Sequence, residues 1–555
     1  MNKIISIFLL SLLLACQSPS TPPIQAAVVS ARIEASEAGR SILQQGGNAY
    51  DAMVATSFAL AVVFPNAGNI TGGGFFVYRT AEGKVGSLDY RERAPQLATK
   101  DMYLDQAGDV IPDKSRRGGL AIGVPGSVEG ILTIHEQMGS LPLSVVMQPA
   151  IDLAEKGYVV TAKQARSLAG KRKEFIQVNG EESLYSKEYK AGDTIVNLAL
   201  ANTLKEILEN GKAGFYKGWV AEAMVNRTQA TGGILTLQDL SDYQSKWRDP
   251  IEFDYKDLRI FSMGPPSSGG ICLGQMLKMI EPYDIAAMGH NSKESMHLMI
   301  EVERRSYADR SFFLGDPDFV DIPQQQLISK PYLKNRMKNY DPKHATPSSA
   351  VNHGNIIGVE SDETTHFSIL DKAGNAVAVT TTLNGSYGSK VFVNELGVFM
   401  NNEMDDFSSK PGEPNMFGLT GSEANSIAPE KRMLSSMTPT IIEKNNRLFM
   451  VVGTPGGSRI ITSVFQTILN VYEHKMEMQA AVDAARFHHQ WLPDQVMLEP
   501  NRFDPDRIQD LRSLGHSVEE EYARIIGKVD AIHVDGEGKI HVGADPRGDD
   551  AAATY

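Results

Sequence analysis

Apolar residues recur at helical spacing from Ala35 to Phe64, with a break at Gly46-Gly47 and a stop at Pro65. Within that stretch Ala52 to Val63 reads as a buried core helix. It is too short for a bilayer span and contains Thr56 and Ser57. Strand-like patterns follow at Phe75 to Arg79 and Val85 to Tyr90. Helical spacing returns over Val128 to Ala154 and Lys293 to Phe313. The chain is therefore mixed α/β, with no internal repeat of solenoid period.

The pattern changes character near the middle. Residues 343 to 363 are polar and turn-rich, with Lys343, Pro347, Ser348, Ser349, Asn352, His353 and Gly354, and they lead straight into a strongly β-patterned segment. This marks a boundary, and Thr364 to Tyr555 is long enough to form a core of its own. The segment opens with Thr364 to Asp371, turns through Lys372 to Asn375, and continues as Ala376 to Thr382. If the loop has three residues with Gly374 in the left-handed position, Asp371 pairs with Asn375 and Thr364 faces Thr382. Directly opposed side chains lie about 4.5 to 5.5 Å apart at Cβ, so the two hydroxyls come within hydrogen-bonding reach.

A threonine pair in a sheet ordinarily reflects β-propensity alone. A threonine at a chain terminus has one further option. Its free α-amine, with a reference pKa of about 7.7 to 8.0, can act as general base for its own hydroxyl. Thr382 then takes the part of the group that orients the nucleophile.

The first residues read as a secretory signal: Lys3 supplies the positive charge and Ile4 to Ala15 the short apolar run. Leu13-Leu14-Ala15-Cys16 resembles a bacterial lipobox, in which Cys16 receives lipid and becomes the mature N-terminus. The plainer alternative is a signal peptide cut a few residues later. Gln17 after the cysteine implies the outer membrane if the lipobox holds, which places the protein in the periplasm. Residues 16 to 27, rich in Pro and Ser, are expected to form a flexible tether, with the globular part beginning near Val28.

Composition narrows the function classes. With 42% hydrophobic and 22% charged residues the chain is an ordinary globular one, and its net charge of -13 comes without any basic block. That argues against nucleic acid as a partner. Besides Cys16 the sole cysteine is Cys272, so no disulfide framework is expected, and no His/Cys cluster has zinc spacing.

Glu363-Thr364-Thr365-His366-Phe367-Ser368 resembles the self-cleavage site of γ-glutamyltransferases, a family of N-terminal-nucleophile hydrolases. Further motifs of that family appear in order: Gly72-Gly73-Gly74-Phe75-Phe76, Asp89-Tyr90-Arg91-Glu92, Pro265-Pro266-Ser267-Ser268-Gly269-Gly270, and Asn401-Asn402-Glu403-Met404-Asp405-Asp406-Phe407. Leu434-Ser435-Ser436-Met437, Gly453-Thr454-Pro455-Gly456-Gly457-Ser458 and Arg486-Phe487-His488-His489 follow. The resemblance covers nearly the whole chain after the signal. It implies an α+β fold, a four-layer αββα sandwich built jointly by a large part, residues 28 to 363, and a small catalytic part, residues 364 to 555.

The same resemblance assigns roles. Cleavage between Glu363 and Thr364 would free the Thr364 amine. The substrate would be glutathione or another γ-glutamyl compound, with water or an amino acid or dipeptide amine as acceptor, and no cofactor or metal. Arg91 would bind the substrate α-carboxylate with Ser435 and Ser436, while Asp406, Glu403 and Asn384 would hold its ammonium group. Gly456 and Gly457 would present N–H groups to the oxyanion.

Read without the family, Arg91 is a surface ion-pair partner of Glu92 or Asp89, the serines are turn formers, and Asp405-Asp406 is a solvated acidic turn or a metal site. Gly456-Gly457 lacks the Gly-Lys-Ser/Thr element of a phosphate loop, and no G-x-S-x-G elbow occurs. His366 shares a strand face with Thr364, but a structural role is expected for it, as for His488 and His489. Lys410 to Gly421 matches the family's lid loop, with Phe417 where lidded relatives usually show tyrosine. Two alternatives remain: a cephalosporin or glutaryl acylase of the same fold, and a non-catalytic anchored binding lipoprotein.

Overall fold

Two antiparallel sheets lie face to face in the computed structural model, which describes residues 24–351, 364–410, 412–413, 415–416, 421–519 and 525–555. The first sheet has seven strands among the described residues, in the spatial order Ala551–Thr554, Ala27–Ser30, Thr365–Leu370, Ala376–Thr382, Gly73–Arg79, Val85–Asp89 and Lys246–Arg248. The second has six, in the order Ile540–Gly543, Asp530–Val534, Arg447–Gly453, Thr440–Lys444, Leu258–Ser262 and Ile251–Tyr255.

Side chains alternate between two different interiors. Val29, Phe75, Val77, Ala378, Ile441, Val451 and Ile532 fill the space between the sheets. Val28, Phe76, Phe367, Ile369, Val377 and Val379 point the other way, into helices such as Ile33–Gln44, Ala49–Val63 and Leu143–Lys156. The second sheet is backed in turn by Gly269–Ile280, Lys293–Phe313 and Arg459–Tyr472. The result is the αββα order of layers. Because both faces of the central strands are covered, every residue of Thr365–Leu370 and Ala376–Thr382 is buried, and neither strand shows a solvated polar side.

The expected helices are present. The break at Gly46-Gly47 separates Ile33–Gln44 from Ala49–Val63, and Asn48 caps the second helix by accepting the Tyr50 and Asp51 N–H groups. All residues of Ala49–Val63 are buried. Val128 to Ala154 divides into Ser127–Met138 and Leu143–Lys156, and Lys293–Phe313 runs unbroken. No helix among the described residues is long and apolar enough to cross a membrane.

Two expectations need correction. Residues 25 to 27, expected in the tether, are tied into the fold: the Gln25 and Ala26 N–H groups both bond the Tyr555 carbonyl, and Ala27 already belongs to a strand. The segment after Thr364 also builds no core of its own. The seven-stranded sheet interleaves strands from before and after residue 364, and the six-stranded sheet joins four later strands to two earlier ones, so each part leaves an unpaired edge without the other. Residues 1–23, with Cys16, and 352–363, with Glu363, lie outside the described residues, as does Phe417.

The hairpin carries the register expected from its turn. Pairing runs from Ala376 opposite Leu370 to Thr381 opposite Thr365, and the Asp371 N–H meets the Asn375 carbonyl at 3.0 Å. Gly374 sits at φ +98, a value that side-chain-bearing residues rarely adopt.

Candidate active site

At the far end of the hairpin from its turn, one pocket is lined by Arg91, Arg310, Thr364, Thr382, Asn384, Asp406, Ser435, Ser436, Met437, Gly457 and Ile460. Eight of these were singled out in the sequence, and they come from segments more than 300 residues apart. Gly456 adjoins the pocket through Gly457. Glu403 lies behind it against Arg91.

Thr364 is buried, at 4% exposure, immediately before the strand that begins at Thr365. Thr382 ends the neighbouring strand, opposite Gly73. Its Oγ1 accepts the Asn384 N–H at 2.7 Å, and its hydroxyl lies against the Glu403 carboxyl. The glycine run Gly72-Gly73-Gly74 is explained by crowding at this strand end. A Cβ on Gly72 would come within 2.0 Å of the Thr382 carbonyl oxygen, and one on Gly73 within 2.3 Å of a Glu92 carboxyl oxygen.

Arg91 is not a surface residue; its side chain is 1% exposed. Nη1 lies 2.7 Å from Glu403 and 3.6 Å from Glu92, and Nη2 bonds Asp406. Asp89 is occupied elsewhere, accepting the Arg91 backbone N–H and pairing with Arg248 and Arg432. Arg91 and Asp406, expected on opposite ends of a zwitterion, thus neutralise one another. Burial pushes the carboxyls of Glu92, Glu403 and Asp406 above their ordinary range, and the Arg91 guanidinium opposes that push. Three carboxyls around one guanidinium cannot all ionise in a dry interior at modest cost.

The remaining residues are held by specific bonds. Asn384 adopts φ +69, and its Nδ2 donates to the Asn402 carbonyl at 3.0 Å, which leaves Oδ1 as the amide atom able to accept from a ligand. Ser435 Oγ accepts the Met437 N–H at 3.1 Å, and Ser436 Oγ accepts from Arg310 Nη2 at 3.0 Å. Arg310, on the long helix Lys293–Phe313, also donates to Ser268 at 2.9 Å. It brings a second cation to the pocket that the sequence reading missed. The one available signal was a basic residue in the last turn of a largely buried helix, which is too common to single out.

The acidic turn 403–406 is a short 3-10 helix, and Asp405 is buried rather than solvated. Asp405 accepts the Met416 N–H at 2.8 Å, and Asn415 reaches Asp406 at 3.3 Å. The described part of the lid stretch is therefore tied to the same turn that carries the pocket acid.

Three histidines are structural. His366 Nδ1 meets Thr380 Oγ1 at 2.9 Å and its Nε2 meets Ser368 Oγ at 3.1 Å, while Ser368 donates to the Asp530 carbonyl of the facing sheet. Burial pushes His366 down to about 3, so it is a neutral tie between layers. His488 bonds Thr462 and Gln490, and His489 accepts the Trp491 N–H and faces Asp494.

Among the described residues His297, Glu301 and His516 come near enough to share an ion. Their chemistry does not fit one. Glu301 is matched by Arg305 at 2.6 Å and faces Arg304, and the two imidazoles hydrogen-bond directly at 2.7 Å.

The family model described as gamma-glutamyltranspeptidase matches residues 35–555. A glutathione hydrolase proenzyme of Escherichia coli (strain K12) is 44% identical over 537 residues, which cover 96% of this chain and 92% of that protein. Among solved structures, a cephalosporin acylase from Bacillus halodurans superposes with a TM-score of 0.85 at 25% identity, covering 98% of this chain and 99% of its own. A gamma-glutamyltranspeptidase of Helicobacter pylori is 44% identical with a TM-score of 0.57, over 58% of this chain and 94% of its own.

Proposed function

Because the chain belongs to the γ-glutamyltranspeptidase family, we propose that it is a self-cleaving γ-glutamyltransferase and glutathione hydrolase whose nucleophile is Thr364. The observation that carries this reading is the single pocket where Thr364 and Thr382 meet Arg91, Asn384, Asp406, Ser435, Ser436 and Gly457. Cleavage between Glu363 and Thr364 converts one precursor into a large and a small subunit that share both sheets.

The chemistry follows from the residues. The free Thr364 amine takes the proton of its own hydroxyl, and the oxygen attacks the γ-carbonyl. The carbonyl electron pair moves onto oxygen, where the Gly456 and Gly457 N–H groups stabilise it. Collapse expels the amine, which is cysteinylglycine when the donor is glutathione, with the proton held by Thr364. Water or an amino acid or dipeptide amine then takes the γ-glutamyl group by the same path in reverse.

The substrate end of the donor is a zwitterion, and the pocket holds a matched pair ready to exchange. The α-carboxylate takes Arg91 with the Ser435 and Ser436 hydroxyls, and the α-ammonium takes Asp406, Glu403 and Asn384. An acylase shares the fold but handles an acyl chain without that ammonium. Asp406 beside Arg91 therefore favours the γ-glutamyl reading, since a buried acid is unhelpful to a plain glutaryl chain. A non-catalytic binding lipoprotein would remain one chain on a denaturing gel. The deciding experiment is N-terminal sequencing of the small fragment together with an assay of cysteinylglycine release from glutathione. A fragment beginning elsewhere than Thr364, or no release, removes the proposal.

A pH dependence follows from Asp406. Its raised carboxyl must be ionised to hold an ammonium, so lowering the pH through its range removes the acceptor. KM for γ-glutamyl donors is expected to rise between pH 7 and pH 5, by up to about tenfold per unit once the acid is mostly protonated. Steady-state KM across pH 5 to 8 checks this, and a flat profile contradicts it.

We extend the proposal to location: lipid on Cys16 anchors the enzyme to the outer membrane, facing the periplasm. The support is the Leu13-Leu14-Ala15-Cys16 pattern. Labelled fatty acid is expected on the wild type and not on Cys16→Ser; equal labelling of both excludes the anchor.

A further inference from the structure

The strand Arg447–Gly453 runs into the turn Thr454-Pro455-Gly456-Gly457, and the helix Arg459–Tyr472 starts just beyond. Gly456 and Gly457 have φ of +137 and +57, conformations with little intrinsic preference for one N–H direction. Something outside the two glycines must aim them. Thr454 is fully buried, and its hydroxyl makes two bonds: it accepts the Lys528 N–H at 2.7 Å and donates to the Pro455 carbonyl at 2.8 Å.

Beneath the turn lies Gly527. A Cβ built on Gly456 would stand 3.4 Å from the Gly527 Cα and N, so the two backbones approach with room for no more than a methyl group between them. Gly527 has φ +71, and a Cβ there would lie 2.8 Å from Thr454 Oγ1 and 2.6 Å from Ser463 Oγ. The far side of this segment is clamped by the buried Arg486. Its Nη1 donates to the Ile526 and Gly527 carbonyls at 2.9 and 3.2 Å, and its Nη2 pairs with Asp545 at 2.8 Å. The turn therefore rests on a backbone that is itself held by a charge-assisted network.

We propose that Thr454 and Gly527 are positioning residues of the reaction: together they seat the Gly456-Gly457 turn and set where its N–H groups stand relative to the carbonyl attacked by Thr364. Neither residue lines the pocket; both act through the glycine pair. The inference rests on the assignment of Gly456 and Gly457 as oxyanion donors. An oxyanion donor matters in the transition state far more than in the bound ground state. Loosening its seat should therefore slow turnover and spare donor binding.

The test compares Thr454→Val, Thr454→Ser and Gly527→Ala, with kcat and KM measured on γ-glutamyl-p-nitroanilide and kcat referred to the amount of free Thr364 N-terminus. Valine keeps the volume and loses both bonds, whereas serine keeps both bonds. Thr454→Val and Gly527→Ala are expected to lower kcat by about 30- to 100-fold with KM within about threefold, because misplacing an oxyanion donor by about 1 Å costs on the order of a hundredfold. Thr454→Ser should stay within about threefold of wild type in both constants. Thermal melting of each variant separates this pattern from general loss of fold.

A Thr454→Ser enzyme slowed as much as the valine variant, or a Gly527→Ala enzyme of full kcat, overturns the proposal. So does a fall in kcat/KM carried by KM alone. Failure of the functional reading looks different: the wild-type enzyme itself would then release no p-nitroaniline.

Discussion

Thr364→Ala is expected to yield a single uncut chain that releases no γ-glutamyl product, a loss on the order of 10⁴-fold or more. The residue has two tasks, and alanine removes both. In the precursor its hydroxyl is the group beside the bond to be broken; in the mature enzyme the same hydroxyl, assisted by the α-amine, attacks the donor. Thr364→Ser keeps the hydroxyl and should still be cut, with reduced turnover, since it lacks the methyl group that packs in this buried strand end. A denaturing gel and a γ-glutamyl-p-nitroanilide assay on the three proteins provide the check. Two normal fragments from Thr364→Ala would sink the assignment of the nucleophile.

Asp406→Ala should raise KM for γ-glutamyl donors by about 30-fold to several thousandfold while the protein remains a cut pair of chains. The magnitude comes from truncating one partner of a buried, hydrogen-bonded ion pair, about 2 to 5 kcal/mol, at 1.36 kcal/mol per factor of ten. Part of that cost is Arg91, which loses its bonded partner and turns more fully towards Glu403 and Glu92. Asp406→Asn tests charge apart from shape. It should raise KM nearly as far and flatten the rise of KM below pH 7, because the amide does not titrate. Donors lacking the α-amine should be affected little by either change, so KM for a glutaryl anilide is the control. An unchanged KM for γ-glutamyl donors would remove Asp406 from the pocket.

Local chemistry was readable wherever neighbours in the chain decide the outcome. The hairpin register followed from a three-residue turn with Gly374 in a left-handed conformation, since the turn sets every later pair. The helix Lys293–Phe313 was equally plain. It is buried all round from Ser295 to Arg310 and carries Glu301, Arg304, Arg305 and Arg310, however, and hydrophobic spacing says nothing about which of those charges reaches a pocket. Arg310 does, through Ser436 and Ser268, and no local pattern marks it.

Arg91 shows the opposite limit. Adjacent acids suggested a surface pair, yet Arg91 is buried and its nearest partners are Glu403 and Asp406, more than 300 residues away, with Glu92 farther off at 3.6 Å. Ion-pair choice in an interior is set by which groups lose water together, which depends on the packing of distant elements. Likewise the length after Thr364 suggested a separate core, whereas each sheet is assembled from strands of both parts.

By itself, then, the sequence determined the hairpin, the threonine pair at its open end, the principal helices and the motifs that identify the family, all of them short-range features governed by backbone geometry and side-chain period. Only the tertiary structure decided that Arg91 faces Asp406, that Arg310 joins the pocket, and that Gly527 packs beneath the turn Thr454-Pro455-Gly456-Gly457. Those juxtapositions arise where two sheets and their covering helices close on one another, and no residue's neighbours in the chain carry that information.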